Sequence, residues 1–217
     1  MASTFVIAVD GPAASGKGTI AARLAKAYGL PHLDTGLLYR AVGLAVQADG
    51  GDFADEAAAA ARARALDLSA LDDAALTTAA AGEAASRVAV HPAVREALYA
   101  LQRAFAAQPG GAVLDGRDIG TVIAPDAPAK LYVTATPEVR AMRRWRQVTA
   151  AGEPIAYDAM LDEIRRRDAR DAGRDAAPMA AAADAVLLDT TDLDISAAAD
   201  AARRIVEAAR VRWESSR

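Results

Sequence analysis

The sequence predicts an α/β fold in which a parallel five-stranded sheet is flanked by helices. Five short apolar runs are separated by stretches with helical spacing, and this alternation is typical of a parallel sheet. A glycine-rich loop joins the first run to the first helix, which places a tight turn at the end of a strand. The length of 217 residues suits one domain of this class rather than two independent domains.

The first strand and the loop after it are the most informative part of the chain. Residues 5–9 form an apolar run that predicts a buried strand. In the helix after the loop, Ile20, Leu24 and Tyr28 recur at four-residue spacing. Glycines allow the loop to turn its N–H groups toward an anion, the helix N-terminus adds partial positive charge, and Lys17 adds a full charge. The pattern predicts the phosphate-binding loop (P-loop) of a P-loop NTPase-type fold, rather than a turn that only joins a strand to a helix. The residues expected to bind ATP phosphates are Gly11, Pro12, Ala13, Ala14, Ser15, Gly16, Lys17, Gly18 and Thr19.

The residue after Lys17 departs from the common P-loop pattern. Ser or Thr usually occupies that position and holds magnesium, but here Gly18 occupies it and Thr19 follows. Because this position lacks a hydroxyl, we expect Mg²⁺ to depend more on water, on the substrate phosphates and on a carboxylate elsewhere. The run Gly-Lys-Gly-Thr resembles the loop of nucleoside monophosphate kinases, which narrows the function toward small enzymes of phosphoryl transfer.

Composition and charge exclude several classes of protein. The net charge of −4, with 25 basic residues, argues against a general coat for nucleic acid. The chain has no cysteine, which excludes disulfides and zinc–thiolate sites, and His32 and His91 are expected to have surface or core polar roles rather than to bind metal. No apolar run reaches membrane-spanning length, and the N-terminal apolar run enters the P-loop without preceding basic residues, unlike a signal peptide. We expect a cytoplasmic, monomeric enzyme that acts on small molecules and binds neither nucleic acid nor membrane.

The remaining elements are predicted in alternation along the chain. The predicted strands are 32–34, 112–115, 130–134 and 185–189. Helical stretches are predicted from Asp34 to Gly50, over 85–107 with Pro92 at a helix start, and after Thr136-Pro137. A last helix carries Ile195, Ile205, Val206 and Val211. The alanine-rich residues 53–84 are expected to form short helices and loops around Leu66, Leu68, Leu71 and Leu76. Because ligands bind at the carboxyl ends of parallel strands, Gly11, Asp34 and Asp115 are expected to meet there.

Polar residues after the second and third strands are candidates for the chemistry of the site. In Asp115-Gly116-Arg117-Asp118, a carboxylate can hold Mg²⁺ directly or through water, and Arg117 can neutralise phosphate. A turn with a solvated ion pair is the alternative. Arg40, on the helix after the second strand, can clamp an acceptor's phosphate with its planar fork, and the alternative is an exposed helix arginine. We expect Asp115 to be the metal-binding carboxylate.

Two clusters of arginines in the last third of the chain predict a lid. They are Arg140, Arg143, Arg144 and Arg146, followed by Arg165, Arg166, Arg167, Arg170 and Arg174. Gly152-Glu153-Pro154 suggests a turn between two helices, which could fold over ATP, exclude water and stabilise the charge of the transferring phosphoryl group. The alternative is two solvated helices joined by i,i+4 pairs such as Arg167 with Asp171, although Arg143 and Arg144 lack close acidic neighbours in the sequence.

Longer motifs extend over most of the chain. They are Asp10-Gly11-Pro12 with Gly16-Lys17-Gly18-Thr19, Leu33-Asp34-Thr35-Gly36 with Tyr39-Arg40, Val94-Arg95-Glu96-Ala97-Leu98 with Gln102-Arg103-Ala104-Phe105, Asp115-Gly116-Arg117-Asp118-Ile119-Gly120-Thr121-Val122, Pro125-Asp126-Ala127-Pro128, Arg167-Asp168 with Asp171, and Ala183-Asp184-Ala185. Together they resemble the bacterial cytidylate kinase family. A P-loop alone is widely shared, whereas the run after the third strand, combined with Asp-Thr-Gly and Tyr-Arg, is much more specific.

The resemblance implies transfer of the γ-phosphoryl group of Mg-ATP to CMP or dCMP, giving ADP and CDP or dCDP. It implies four catalytic residues, Lys17, Arg117, Arg143 and Arg144, and a substrate site formed by Thr35, Gly36, Arg40, Ser86, Arg95, Arg117, Asp118, Arg167, Asp171 and Arg174. By the same resemblance, Arg40, Arg117 and Arg174 grip the acceptor phosphate, Ser86, Arg95 and Asp118 face the cytosine, and Arg167 with Asp171 contacts the ribose. It divides the single domain, 1–217, into a core of about 1–35, 85–142 and 178–217, a monophosphate-binding region of about 36–84 and a lid of about 143–175.

Two departures from the family pattern and two other functions are left open. Thr35 replaces a serine that the family often has, which preserves the hydroxyl. The region between Leu66 and Glu83 is shorter than in members that insert a small sheet beside the monophosphate site, which leaves the strictness of base selection open. Another acceptor such as UMP or AMP is the alternative among kinases, and an ATP-binding sensor without turnover is the alternative outside them.

Overall fold

The computed structural model describes residues 4–67, 73–152 and 155–217. The strands in these residues are β1 Phe5–Asp10, β2 His32–Asp34, β3 Gly111–Gly116, β4 Ala129–Thr134 and β5 Val186–Asp189. They form one parallel sheet in the order β2-β3-β1-β4-β5. The predicted fold class is confirmed, and each strand lies within one residue of its predicted bounds.

Helices connect and cover the strands. They are α1 Lys17–Tyr28, α2 Thr35–Ala48, α3 Glu56–Arg64, α4 Asp73–Leu76, α5 Ala79–Val88, α6 Pro92–Ala106, α7 Pro137–Ala150, α8 Tyr157–Ala172 and α9 Ile195–Ser215, with a π-helical turn at Ile119–Ile123. Thr136 caps α7, because its hydroxyl accepts a hydrogen bond from the N–H of Val139 at 3.4 Å. Leu68, Leu71 and the predicted turn at Glu153-Pro154 lie outside the described residues.

The helical stretch predicted over 85–107 consists of parts of two helices, because α5 ends at Val88 and α6 begins at Pro92. Proline has no N–H to continue a helix and disfavours helical geometry in the residue before it. His91 is accordingly extended, with φ −79° and ψ 118°, and Pro92 begins α6 as the sequence predicted.

The two faces of the sheet carry separate apolar cores. On one face, Ile7 and Val9 pack with Leu24 of α1 and Val206 of α9. On the other face, Val6, Ala8 and Leu114 pack with α6 and the π-helical turn. Fully burying one such aliphatic side chain contributes about 1.5–3 kcal/mol, so these two layers hold β1 in place at the centre of the sheet.

A third core holds α2, α3, α5 and α6 beside the sheet, and it contains a very close approach between two helices. A Cβ on Gly43 of α2 would lie 2.7 Å from the carbonyl carbon of Ala84 in α5. This glycine allows α5 to pack directly on α2. A fourth core joins α7 and α8 through Val148 and Met160 and includes Ala13 of the P-loop.

The register of the sheet brings three carboxylates to one edge. Val9 of β1 is paired with Asp115 of β3, and Asp115 is paired with Asp34 of β2. Asp10 is the last residue of β1 and leads directly into the loop. The ends of the three neighbouring strands β2, β3 and β1 therefore meet where the sequence predicted a ligand site.

Candidate active site

A cavity of about 980 Å³ lies at this edge of the sheet. Seven of the nine predicted P-loop residues line it, namely Ala13, Ala14, Ser15, Gly16, Lys17, Gly18 and Thr19. Gly11 and Pro12 are buried behind the loop. The cavity also reaches α2, α7, α8 and the start of α9, so it is large enough to hold more than the phosphates of a nucleotide.

The backbone of the P-loop has the conformation of an anion cradle. Ala14 and Gly16 adopt left-handed geometry, with φ of +58° and +91°. Such residues turn successive N–H groups toward one point, and α1 then begins at Lys17 with its positive end on the cavity. Gly11 is required for a different reason, because a Cβ there would lie 2.0 Å from the carbonyl oxygen of Val133 in β4.

The charges that line the cavity are mainly positive. Its cationic side chains are Lys17, Arg40, Arg117, Arg143, Arg144, Arg146 and Arg167, and its acidic ones are Asp34, Asp115, Glu163 and Asp194. Burial, followed by repulsion from Arg117, lowers the pKa of Lys17 to about 8 and that of Arg167 to about 9. Burial, followed by Arg144, lowers the pKa of Arg40 to about 10. These cations repel one another, so a polyanion in the cavity would relieve the repulsion.

Asp115, the predicted metal-binding residue, is 1% exposed at the carboxyl end of β3. Its Oδ1 lies 2.8 Å from Nε2 of His32, whereas its Oδ2 is buried without a hydrogen-bond partner among the described residues. A Cβ on Gly18 would lie 3.7 Å from Oδ2, so this oxygen faces the first turn of α1. An orphaned carboxylate oxygen beside a phosphate cradle suits Mg²⁺, which takes oxygen ligands and keeps several waters. The residues of known placement contain no group of three or more acidic or histidine side chains that would form a complete metal cage.

The start of α2 is fixed by the neighbouring carboxylates. The side chain of Asp34 accepts a hydrogen bond from the N–H of Gly36 at 2.9 Å and caps the helix, and the hydroxyl of Thr35 donates to the carbonyl of Asp115 at 2.8 Å. Burial, followed by repulsion from Asp115, raises the pKa of Asp34. Thr35 and Gly36 were predicted to bind substrate. In the structure, the hydrogen bond of Thr35 attaches the start of α2 to β3, and that of Gly36 caps the helix.

Arg40 extends from α2 into the cavity. Its Nη1 donates to the carbonyls of Leu76 at 2.8 Å and Thr78 at 3.2 Å. The side chain is therefore held by the segment that joins α4 to α5. This excludes the alternative that Arg40 is an exposed helix arginine. Its other guanidinium nitrogens make no hydrogen bond to the described residues and are available to an anion.

Arg143 is attached to the P-loop rather than suspended above it. It donates to the hydroxyl and carbonyl of Thr190, at 3.0 and 2.6 Å, and to the carbonyl of Ser15 at 3.3 Å. The Thr190 hydroxyl also donates to Ser15 O at 3.0 Å. Arg144, the next residue, donates to the carbonyl of Thr77 at 3.2 Å. It therefore connects α7 to the segment before α5.

Asp171 of α8 is a buried carboxylate that is surrounded by three arginines, two of them from the second cluster. Arg117 donates to its Oδ2 at 3.0 Å, Arg174 donates to its Oδ1, and Ser86 of α5 donates to Oδ1 at 3.1 Å. Arg167 lies 4.0 Å away. Burial alone would raise the pKa of Asp171, but the surrounding arginines hold it below its usual value. At 1% exposure Asp171 is not part of a solvated helix face, so that alternative does not describe Asp171 and its partners. It does describe Arg165 and Arg166, which are exposed.

Arg95 and Asp118 form a buried ion pair beside this network. The Arg95 guanidinium also lies 5.6 Å from the centre of the Tyr39 ring. The pair does not line the cavity itself, whereas Arg117, the residue before Asp118, lines it and contacts Asp171. The structure therefore brings the predicted site residues together in two adjoining groups, one around the P-loop cavity and one around Asp171.

Three residues near the site were missed by sequence reasoning. Asp10 accepts hydrogen bonds from the N–H groups of Ile119 and Gly120, both at 2.7 Å, and so ties the end of β1 to the π-helical turn. His32 contacts Asp115, and Thr190 contacts the P-loop. Asp10 could have been found as a carboxylate at a strand end, whereas the contacts of His32 and Thr190 depend on the order of strands, which the sequence does not state.

This chain is similar to known cytidylate kinases over nearly its whole length. The family model described as cytidylate kinase matches residues 7–209. A cytidylate kinase of Caulobacter vibrioides is 67% identical over 208 residues, which cover 96% of this chain and 98% of that protein. A cytidylate kinase of Xanthobacter autotrophicus is 64% identical over 206 residues, covering 95% of this chain and 99% of that protein. The crystal structure of an uncharacterized protein from Eubacterium ventriosum matches with a TM-score of 0.55 at 14% identity, covering 94% and 99% of the two chains, and it shows the fold alone.

Among the described residues, no helix combines the length and the apolar character needed to span a bilayer.

Proposed function

This chain belongs to the cytidylate kinase family, and from that membership we propose that it transfers the γ-phosphoryl group of Mg-ATP to CMP or dCMP. The products are ADP and CDP or dCDP. The observation that carries the proposal is the adjacency of two sites. A P-loop cavity lined by cations meets, through Arg117, a buried group that holds an ion pair suited to reading a base.

The P-loop end of the cavity is the proposed ATP site. Backbone N–H groups of Gly11 and of residues 13–19, together with the N-terminus of α1, bind the phosphates, and Lys17 neutralises their charge. Pro12 has no N–H and contributes only the shape of the loop. Arg143 and Arg144 contribute from α7, at the start of the proposed lid over about 143–175. The packing of α7 and α8 in one apolar cluster with Ala13 supports this role, because both helices then contact the P-loop.

Asp115 is the residue that would hold Mg²⁺, directly or through water, with its free Oδ2. The ion, when bound, shields the negative charge of the β- and γ-phosphates. The missing hydroxyl at Gly18 supports this assignment, because a carboxylate then replaces the usual P-loop ligand.

The group around Asp171 is the proposed acceptor site. Arg40, Arg117 and Arg174 bind the phosphate of CMP, and Arg167 with Asp171 binds the ribose. For the base, the amino group of cytosine donates to Asp118 while Arg95 donates to the ring acceptors, and Ser86 completes the edge. Uracil has a carbonyl in place of that amino group, so a buried Asp118 would face an acceptor, which costs on the order of 1–3 kcal/mol.

The proposed reaction is in-line attack by an oxygen of the CMP phosphate on the γ-phosphorus of ATP. The bond between that phosphorus and the β–γ bridging oxygen breaks, and ADP leaves. The acceptor phosphate is already anionic at neutral pH, so no side chain is needed as a strong base. Arg117 is held by Asp171 between the two sites and is therefore suited to neutralise charge on the transferring group.

Because every proposed binding group belongs to one chain, we propose that the enzyme acts as a monomer on small nucleotides. We propose the cytoplasm as its location, where ATP is available. Light scattering coupled to size exclusion, with and without ATP, would test the oligomeric state.

The test of the function is coupled ADP release with Mg-ATP against CMP, dCMP, UMP, AMP and GMP. We expect strong preference for CMP and dCMP, and we expect Asp118→Asn to lower kcat/KM for CMP about 10- to 100-fold while leaving the KM for ATP nearly unchanged. Asp184→Asn, which disturbs an ion pair with Lys130 outside the site, is the matched control. Comparable rates with UMP would show relaxed base selection, and turnover with none of the acceptors would overturn the kinase proposal.

A further inference from the structure

We propose that His32 is a positioning residue that holds the Asp115 carboxylate with one oxygen turned toward the magnesium site. The inference rests on the proposed function, since it assigns His32 a part in binding the metal–nucleotide complex. It concerns a contact that no sequence motif in this chain indicated. The observations that carry it are the placement of His32 in the sheet, the unequal environment of the two Asp115 oxygens, and the buried frame around them.

The sheet register places His32 within reach of Asp115. His32 is paired with Val113, two residues before Asp115, and Asp34 is paired with Asp115 itself. Side chains two residues apart on a strand lie on the same face, so His32 and Asp115 are diagonal neighbours on one face of the sheet. The distance from Nε2 to Oδ1 is 2.8 Å, which is a normal hydrogen bond.

The two oxygens of Asp115 have different environments. Oδ1 has the imidazole as its partner, whereas Oδ2 is buried without a partner among the residues described and faces the first turn of α1. An ionised carboxylate can only accept hydrogen bonds, so Nε2 must be the nitrogen that carries the proton. The hydrogen bond therefore fixes both the ring tautomer and the rotation of the carboxylate.

The orientation of the Asp115 carboxylate depends on its hydrogen bond with His32. The main chain of Asp115 is held separately, because the Thr35 hydroxyl donates to its carbonyl and β3 pairs on both sides. Among the described residues, the imidazole of His32 is the one hydrogen-bond partner of the side chain. Without it, neither oxygen would have a donor in that part of the chain, and the carboxylate would be free to turn toward Lys17 instead of toward the metal.

An imidazole that orients a metal-binding carboxylate changes metal affinity without contacting the metal. Outer partners of this kind alter affinity or activity by about 10- to 100-fold when they are removed. A purely structural histidine would instead change folding stability and would affect all ligands of the cavity alike. The two roles therefore predict different dependence of nucleotide binding on Mg²⁺.

The experiment measures ADP binding by titration calorimetry, once with excess MgCl₂ and once with EDTA. For His32→Leu we expect about tenfold weaker binding of ADP with magnesium, and less than a twofold change without it. His32→Gln should restore most of the affinity, because its Nε2 reaches the place of the ring Nε2. Equal losses with and without magnesium, or no loss in either, would overturn the proposal.

Two further variants keep the test sharp. His91→Leu is the matched control, because His91, the only other histidine of the chain, donates from Nε2 to the carbonyl of Phe53 at 2.7 Å and does not line the cavity. In an Asp115→Asn background, His32→Leu should cause no additional loss of the magnesium-dependent affinity, since its effect passes through Asp115. If His32→Leu does not fold, His32→Asn replaces it, because its shorter amide does not reach Oδ1; binding equal to that of His32→Gln would then overturn the proposal.

These measurements separate the two proposals. ADP binding with and without magnesium does not involve an acceptor, so it tests His32 even if turnover with CMP is absent. Turnover with CMP in the unmodified protein tests the proposed function even if His32 proves to be structural.

Discussion

Asp10, the residue directly before the P-loop, is a buried carboxylate whose two oxygens accept hydrogen bonds from two backbone amides. Burial raises its pKa from 3.8 to about 7, although the two amides act in the opposite direction. The same amides belong to the turn that follows Asp118, so Asp10 joins the phosphate loop to the proposed base-reading residue. Its protonation is therefore coupled to the folding of the site.

We expect this coupling to appear as a loss of stability when the pH rises from about 4 to about 7. In that window the folded protein holds a proton on Asp10 that the unfolded chain has released. The free energy of unfolding therefore falls by up to about 1.4 kcal/mol per pH unit, and it levels off above the folded pKa. Urea denaturation of the wild type and of Asp10→Asn gives the free energy of unfolding of each protein across this range. The advantage of the wild type over the variant should shrink as the pH rises from about 4 to about 7.

Asp200→Asn is the control for this experiment, because Asp200 is exposed and only 3.8 Å from Arg203 at the surface. Its stability curve should run parallel to that of the wild type. If Asp10→Asn also runs parallel to the wild type from pH 4 to 7, the carboxyl group of Asp10 is already ionised throughout and the expected linkage is absent.

The helices α2 and α5 carry the acceptor side of the site between them. Arg40 extends from α2 and Ser86 from α5, and Gly43 lets the two helices approach closely. The acceptor site is therefore defined by helix packing as much as by its own polar contacts.

We expect Gly43→Ala to weaken CMP binding and to leave ATP binding nearly unchanged. Alanine improves helix propensity by about 1 kcal/mol, but a Cβ placed 2.7 Å from backbone must push α5 away, and overpacking of this kind costs about 1–3 kcal/mol. The net effect should be a lower melting temperature and a higher KM for CMP, measured with the coupled assay. Gln47→Ala, on the exposed face of α2, is the control, and a raised KM for ATP alone would contradict the expectation.

The protein has a net charge of −4, yet its cavity is lined mainly by cations. Acidic residues elsewhere keep the overall charge negative, so the total charge gave no sign of an anion site. The lowered pKa values of Lys17, Arg40 and Arg167 indicate that burial, followed by the neighbouring arginines, opposes the charged forms of these three side chains. Polyanions should therefore stabilise the fold in general, not only nucleotides.

We expect inorganic tripolyphosphate to raise the melting temperature of the protein at low salt. A ligand at 100 times its Kd adds about 2.7 kcal/mol, which corresponds to roughly 5–10 °C for a chain of this size. The measurement is thermal unfolding with tripolyphosphate against sodium chloride of equal ionic strength. Lys17→Met should lose most of the shift, whereas Arg203→Ala, which alters an exposed arginine, should keep it; an equal shift in all three proteins would contradict binding at the P-loop.

Much of this architecture could be predicted from the sequence, because apolar runs and loop glycines report local structure directly. Gly11 and Lys17 lie where the P-loop pattern placed them, and Asp34 and Asp115 meet at the sheet edge as expected. The contact between His32 and Asp115 could not be predicted in the same way. It depends on β2 pairing with β3, whose residues are far apart in the chain, and sequence periodicity says nothing about which strands are neighbours.

The central position of β1 has a consequence for how the chain is made. β1 leaves the ribosome before its partners β3 and β4, which follow roughly a hundred residues later, and Val206 of α9 covers it later still. A nascent chain that has not reached Thr134 carries the P-loop sequence without the strands that shape it. The apolar strand at the centre of the sheet is thus synthesised well before the elements that shield it, so we expect this segment to be exposed to chaperones during translation.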